Sequence, residues 1–290
     1  MPIKGIISLP GDKSISHRTL MFASLTRGDC VINNISTGDD VETTRKCLSD
    51  CGIKSERNGT TVILKGGGLE PPKLPLNCGN SGTTVRLLAG LLAGKGVTAK
   101  FTGDKSLSKR PMNRILDPLT KMGVSIKSVN GYLPISITSE NIKGIDYSTS
   151  ISSAQVKSCI ILAGLGAFGE TKIKEKIKSR DHTEVMLKEL GADIQNGDVI
   201  SVKPLKKPLD KFEITIPGDP SSAAFFASAA AMIPNSDLTI LNVLANPTRI
   251  GFFTVMENMG VDVQWNNMRK VSGELIGDVH IFSQPLNGLH

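Results

Sequence analysis

The sequence predicts an α+β fold in which a unit of about 70 residues is repeated four times along a chain of 290 residues. Two markers carry this expectation. The first is a glycine that closes an amphipathic stretch and is followed by alternating apolar and polar residues. It falls at Gly52, Gly123, Gly191 and Gly260, spaced by 71, 68 and 69 residues. Such a pattern is a helix with a glycine C-cap running into a strand. The second is a serine that opens an apolar helical run, at Ser14, Ser81, Ser153 and Ser221, spaced by 67, 72 and 68 residues. From each serine to its glycine is 38, 42, 38 and 39 residues, so the two markers stay in phase.

Each unit reads as a helix, a connection containing a short strand, a second helix, and then strands. In unit one the first helix is SISHRTLMFASL from Ser14, and the second starts near Asp39 and ends in LSDCGIKS at 48–55. Unit two runs from SGTTVRLLAGLLAG at Ser81 to a helix opening at Pro111 and closing in LTKMGVSIK at 119–127. Unit three has SAQVKSCIILAGL from Ser153, a second helix near Asp181, and LKELGADI at 187–194. Unit four has SSAAFFASAAAMI from Ser221, a second helix near Pro247, and MENMGVDV at 256–263. Aspartate suits an N-cap and proline a first helical turn. Helices are expected on one side of small mixed sheets. No Pro-, Gly- or Ser-rich linker divides the units. The gentlest boundary lies at Ile216, Pro217 and Gly218, where a fourth unit follows three.

Composition narrows the class. Hydrophobic residues make up 39% and charged residues 21%, with no long apolar run, and Gly11, Asp12 and Lys13 interrupt any signal-like core near Met1. The expectation is a globular, cytoplasmic protein with no membrane partner. The 34 basic and 27 acidic side chains leave a net charge of +7, which concentrates anions. One Trp, two Tyr and nine Phe offer few stacking platforms, so nucleic acid is not expected as a partner. The five cysteines form no C-x-x-C and have no histidines at zinc-site spacing, so each reads as a buried small hydrophobe and no metal is expected.

Several glycine motifs carry no nucleotide site. GLGAFG at 164–169 has the letters of a dinucleotide fingerprint, but it follows a helix and precedes a strand. In PGDKS at 10–14 an aspartate separates Gly11 from Lys13, against a P-loop. No G-x-S-x-G elbow is present, and His17 and His182 have no nucleophile in register, His182 reading mainly as a helix-start residue. The segment PGDKSISHR at 10–18 is more informative. A turn delivers Lys13 and Ser14 to a helix start, and Arg18 follows one turn later, which makes a phosphate or carboxylate clamp. Similar constructions recur in NSGT at 80–83 with Arg86, in SSAQVK at 152–157, in GDKSLSKRPMNR at 103–114 and in SRDHTE at 179–184. Any one of these is explained by capping, whereas all of them in one repeat frame point to a shared site for a polyanionic small molecule.

Together PGDKSISHR, GNSGTTVR, GDKSLSKRPM, SSAQVKS, SRDHTE and PGDPSSAAF resemble the EPSP synthase family over residues from about 5 to 265. The resemblance implies βαβαββ units, three per domain and six in all. Residues 12–216 would then be one complete domain, while 1–11 and 217–290 would belong to an incomplete second one. It implies that Lys13, Ser14, Arg18, Ser153, Ala154, Gln155 and Arg180 hold shikimate-3-phosphate. Lys13, Asn80, Gly82, Arg110 and Gln155 would hold phosphoenolpyruvate, with Lys13 the one catalytic group. It implies no cofactor. The family's aspartate base, Lys-Glu pair and further cations fall in units five and six, after residue 290. The 290 residues alone are therefore expected to turn nothing over, and a second polypeptide could supply the rest. Two alternatives stand beside this reading: a non-catalytic substrate-binding fragment, and a UDP-N-acetylglucosamine enolpyruvyl transferase-like enzyme. Against the latter, GDKSISHR replaces that enzyme's N-K-S start and KRPM lacks its loop cysteine.

Overall fold

Glycines with φ near +90° at Gly52, Gly123, Gly191 and Gly260 end four helices, because that left-handed conformation is open to a residue without a Cβ and strained for most others. The structure, a computed structural model, describes residues 1–288. Unit one contains β1 (Lys4–Ser8), α1 (Lys13–Ser24), β2 (Gly28–Asn33), α2 (Asp39–Asp50), β3 (Lys54–Asn58) and β4 (Thr61–Gly66). Unit two contains β5 (Leu76–Asn77), α3 (Gly82–Gly94), β6 (Ala99–Thr102), α4 (Asn113–Lys121), β7 (Ser125–Val129) and β8 (Tyr132–Thr138). A 3₁₀ turn at Leu107–Lys109 precedes α4. Unit three contains β9 (Asp146–Thr149), α5 (Ala154–Gly164), β10 (Thr171–Glu175), α6 (His182–Glu189), β11 (Ile194–Gln195) and β12 (Val199–Val202). Unit four contains β13 (Glu213–Thr215), α7 (Pro220–Met232), β14 (Asp237–Leu244), α8 (Gly251–Asn258), β15 (Gln264–Val271) and β16 (Glu274–Phe282). The order βαβαββ thus recurs four times among the described residues.

Four four-stranded sheets have the same plan: a leading strand parallel to the second, then the fourth and third strands antiparallel. In units two and three the leading strand is the unit's own. Units one and four exchange theirs. β13 lies beside β2, with Ile214 opposite Ile32, and β1 lies beside β14, with Ile6 opposite Thr239. The chain consequently crosses between the three-unit body and unit four twice, at 9–12 and 216–219. There the crossing segments pair, Gly11 against Gly218, and the Asp12 amide donates to the Pro217 carbonyl over 2.7 Å.

Apolar burial follows this division. One hydrophobic cluster spans Ile15 to Ile216 with Leu244, and a second gathers Leu9 with Ala223, Ala227, Phe253, Val279 and Ile281. α1, α3 and α5 are buried almost all round. α3 and α5 approach closely because Gly90 and Gly94 carry no side chain; a Cβ on Gly90 would overlap the Cys159 carbonyl oxygen. On unit four, by contrast, Phe225, Phe226 and Met232 of α7 remain exposed.

Three sequence expectations move. The helices of units one and four are capped by Asp12 and Asp219, two residues ahead of the expected serines. A carboxylate can reach the amide three residues on in the first case (Asp12 Oδ1 to the Ile15 amide, 2.8 Å) and two on in the second (Asp219 Oδ1 to the Ser221 amide, 2.8 Å). Ser81 and Ser153 do cap α3 and α5. α4 starts at Asn113, two residues after Pro111, since the Met112 amide is held by the Gly131 carbonyl. α8 starts at Gly251, four residues after Pro247, because Asn246 Oδ1 accepts from the Thr248 amide and hydroxyl and holds a turn there. GLGAFG lies between α5 and β10, the helix-to-strand context that excludes a dinucleotide fingerprint. All five cysteines are buried free thiols. No helix among the described residues is long and apolar enough to cross a membrane.

Candidate anion-binding site

The N-terminal turns of α1, α3 and α5 are tied together at one end of the three-unit body, α1 to α5 through Arg18 and Ser158 and α3 to α5 through Arg86 and Gln155, so the positive ends of their dipoles lie together. Arg18, on the second turn of α1, is 3% exposed. Its Nε donates to Thr183 Oγ1 of α6 (2.8 Å), Nη2 to Ser158 Oγ of α5 (2.8 Å) and Nη1 to the Ser14 carbonyl (3.0 Å). Burial pulls its pKa down to about 10, with Glu184 and Asp12 acting against that fall, so the guanidinium remains charged at neutral pH. Its planar fork thereby fixes Ser14 against two other helices. Ser14, uninvolved in capping, turns its hydroxyl toward two more guanidinium groups, 3.4 Å from Arg180 Nη1 and 3.5 Å from Arg249 Nη1. Lys13, half exposed, forms an ion pair with Asp40 of α2.

Beside this cluster opens a cavity of about 510 Å3, lined by Ser153, Ala154, Gln155, Lys178, Arg180 and Thr248 among others. Burial lowers the Arg180 pKa, and the neighbouring Arg249 charge adds to the effect. Gln155 joins the cavity to the second unit: its Oε1 accepts from Arg86 Nη1 (2.7 Å) and its Nε2 donates to Thr83 Oγ1 (2.9 Å). Gly82 begins α3 between two cations, so that a Cβ there would lie 2.6 Å from Arg86 Nη1 and 3.5 Å from Arg110 Nη1. Burial lowers the Arg86 pKa, followed in effect by the charge of Arg110. Arg110 Nη2 donates to Asn80 Oδ1, and Asn80 Nδ2 donates to Asp104 Oδ2 over 2.7 Å. Every residue expected at the site therefore falls into one of two adjoining groups. Lys13, Ser14, Arg18, Ser153, Ala154 and Arg180 form one, Asn80, Gly82 and Arg110 the other, and Gln155 spans them.

Residues 1–282 match the family described as EPSP synthase (3-phosphoshikimate 1-carboxyvinyltransferase). The chain belongs to the EPSP synthase family. It is 45% identical to the 3-phosphoshikimate 1-carboxyvinyltransferase of Ruthia magnifica subsp. Calyptogena magnifica, an alignment covering 99% of this chain and 67% of that protein. It is 46% identical to the enzyme of the same name from Alkaliphilus metalliredigens, over 99% of this chain and 68% of that one. A solved EPSP synthase structure from Acinetobacter baumannii matches all of this chain and 67% of its own, with a TM-score of 0.93 and 41% identity. The chain thus spans about two thirds of the length of these relatives. By family it is an enzyme, a transferase of the shikimate pathway.

Beneath the site lies a supporting layer that the sequence reading did not single out for the site. Lys157 of α5, 1% exposed, places its ammonium 2.7 Å from both Glu175 and Glu184, and Glu175 in turn accepts from the Ser179 hydroxyl. This fixes the loop 176–181 that carries Arg180. His182 is both a helix start and a buried partner, with Nδ1 2.8 Å from Glu274 of β16. Fully buried His17 contacts Thr44 Oγ1 (2.7 Å), which contacts Thr84 Oγ1 (2.7 Å), which donates to Ser81 Oγ (2.6 Å). A line of hydroxyls therefore links the α1 and α3 N-termini. The repeated P-G-D at 10–12 and 217–219 was the one sequence signal that could have pointed to the two capping aspartates.

Proposed function

We propose that this chain holds shikimate-3-phosphate in the group around Ser14, Arg18, Ser153, Ala154 and Arg180, and phosphoenolpyruvate around Asn80, Gly82 and Arg110, for enolpyruvyl transfer. The reaction adds the 5-hydroxyl of shikimate-3-phosphate across the C2–C3 double bond of phosphoenolpyruvate, oxygen to C2 and a proton to C3. A C3 proton is then lost as the C2–O bond to phosphate breaks, which restores the double bond and releases inorganic phosphate. Two polyanions repel each other and must be brought into contact, so fixed cations have to offset their charge before any bond forms. The observation that carries the reading is the convergence of Arg18, Arg180 and Arg249 on Ser14, with Arg180 also lining the 510 Å3 cavity. Gln155 and Arg86 place the second anion beside the first. Lys13, half exposed beside Ser14 and paired with Asp40, is assigned to both anions and to balancing charge at the forming bond.

The same reading includes a division into residues 12–216 and a second part made of 1–11 with 217–290. The exchange of β1 and β13 and the two apolar clusters support it. A second polypeptide finds no support in the comparisons and is not part of the proposal. The alternative of UDP-N-acetylglucosamine as acceptor finds no support in the names of the relatives either. Calorimetric titration of the chain with shikimate-3-phosphate, and then with phosphoenolpyruvate, tests the assignment. Saturable binding of the first is expected, and a preference for UDP-N-acetylglucosamine would overturn it. A coupled phosphate-release assay with both substrates reads the transfer reaction itself.

A further inference from the structure

Asp12 and Asp219 occupy the same place in two P-G-D segments, and each caps a helix, α1 and α7. One side chain holds both. Arg249, on the turn before α8 and 5% exposed, places Nη1 3.0 Å from Asp12 Oδ2 and Nη2 3.0 Å from Asp219 Oδ1. Nη2 also donates to Ser221 Oγ over 3.0 Å. Asp219 uses its other oxygen, Oδ2, to accept from the Lys13 amide over 3.2 Å. Lys13 and Ser14 are therefore set by two aspartates that share one guanidinium from unit four. The arrangement also solves an electrostatic problem. Burial raises the Asp12 pKa and Arg249, 3.0 Å away, opposes the rise by favouring the charged form. Left unpaired, Asp12 and Asp219 would repel the phosphate that Arg18 and Arg180 attract.

We propose that Arg249 is a positioning residue for shikimate-3-phosphate: it locks the two helix caps that aim Lys13 and Ser14 and neutralises the carboxylates behind them. The inference rests on the binding site proposed above. Its consequence is that the position of unit four and the affinity at Ser14 are coupled, since Arg249 belongs to unit four and its partners to both sides of the double crossing.

The test uses the full 290-residue chain with three variants: Arg249→Gln, Arg249→Lys, and Asp12→Asn combined with Arg249→Gln. The asparagine introduced by Asp12→Asn retains an Oδ1 to cap α1, so the double variant removes the buried charge pair and keeps the cap. Thermal midpoint and calorimetric affinity for shikimate-3-phosphate are measured on each. Arg249→Gln is expected to lose about thirtyfold in affinity, the usual scale for truncating one partner of a buried charge pair. Arg249→Lys should recover only part of this, because an ammonium cannot reach both aspartates at once. The double variant should regain most of the lost thermal stability yet stay about tenfold weaker in binding. Affinity within about threefold of wild type in Arg249→Gln, or recovery of both stability and affinity in the double variant, would overturn the proposal. A ligand-independent readout separates it from the reading of the site. Amide hydrogen exchange at residues 13–16 is expected to accelerate about tenfold in Arg249→Gln while α3 and α5 stay protected. Unchanged exchange at 13–16 would overturn the proposal whether or not wild type binds the ligand; absence of wild-type binding with faster exchange would sink only the assigned ligand.

Discussion

Replacing His17 with asparagine makes the pH dependence of folding a measurement of one buried ring. The imidazole is fully buried, and burial, with Lys13 and Arg18 nearby, lowers its pKa from 6.5 to about 3, while Asp40 acts in the opposite direction. Nδ1 is occupied by Thr44, and Nε2 has no hydrogen-bond partner among the described residues. Protonation would thus bury a second N–H, and a charge, with nothing to receive them. The folded value lies below the unfolded one, so the unfolded chain binds the extra proton between pH 6.5 and about 3. The contribution of this histidine to stability is therefore complete above about pH 6.5 and is lost as the pH falls. At about pH 5 the unfolded ring is mostly protonated and the folded ring is not. About one and a half pK units at roughly 1.36 kcal/mol each give a loss of about 2 kcal/mol relative to about pH 7.5. Urea titrations of wild type and His17→Asn at these two pH values measure it. Wild type should lose about 2 kcal/mol more than the variant. Equal losses in the two proteins would refute the argument.

Other outcomes follow from the same contacts. Gly90→Ala should destabilise the chain by about 3 kcal/mol, measured by urea unfolding, because its Cβ would overlap the Cys159 carbonyl and two packed helices would have to separate. Gly82→Ala displaces the end of Arg86 from Gln155, so phosphoenolpyruvate binding in the presence of shikimate-3-phosphate should weaken about tenfold with little change in Tm. Lys157→Met leaves Glu175 and Glu184 buried without their cation and should lower stability by about 3 kcal/mol at neutral pH, a loss that differential scanning calorimetry would register.

Much of the fold could be read from residues whose backbone demands are narrow. Gly52, Gly123, Gly191 and Gly260 were legible because a left-handed C-cap suits glycine, and their spacing revealed the unit. The anion clamps were legible because Lys13, Ser14 and Arg18 are close in sequence. The exchange of β1 and β13 was not legible from the units themselves. Both are short strands that could pair within their own unit, and the choice is made by tertiary packing at the double crossing. The capping aspartates are hidden in the sequence because Ser14 and Ser221 also suit a helix start; only the structure shows Ser14 free to face the arginines. Arg249 reaches Asp12 from the far end of the chain, and a local motif cannot encode that contact.

In the proposed site the phosphate of shikimate-3-phosphate sits among Ser14, Arg18 and Arg180. Phosphorus-31 NMR of shikimate-3-phosphate titrated with the chain tests it most directly. A shifted, saturable phosphate resonance is expected with wild type, abolished by Arg18→Gln and weakened about tenfold by Ser14→Ala, while shikimate lacking the phosphate fails to compete. An unshifted resonance with wild type, or one that shifts equally with both variants, would contradict the account.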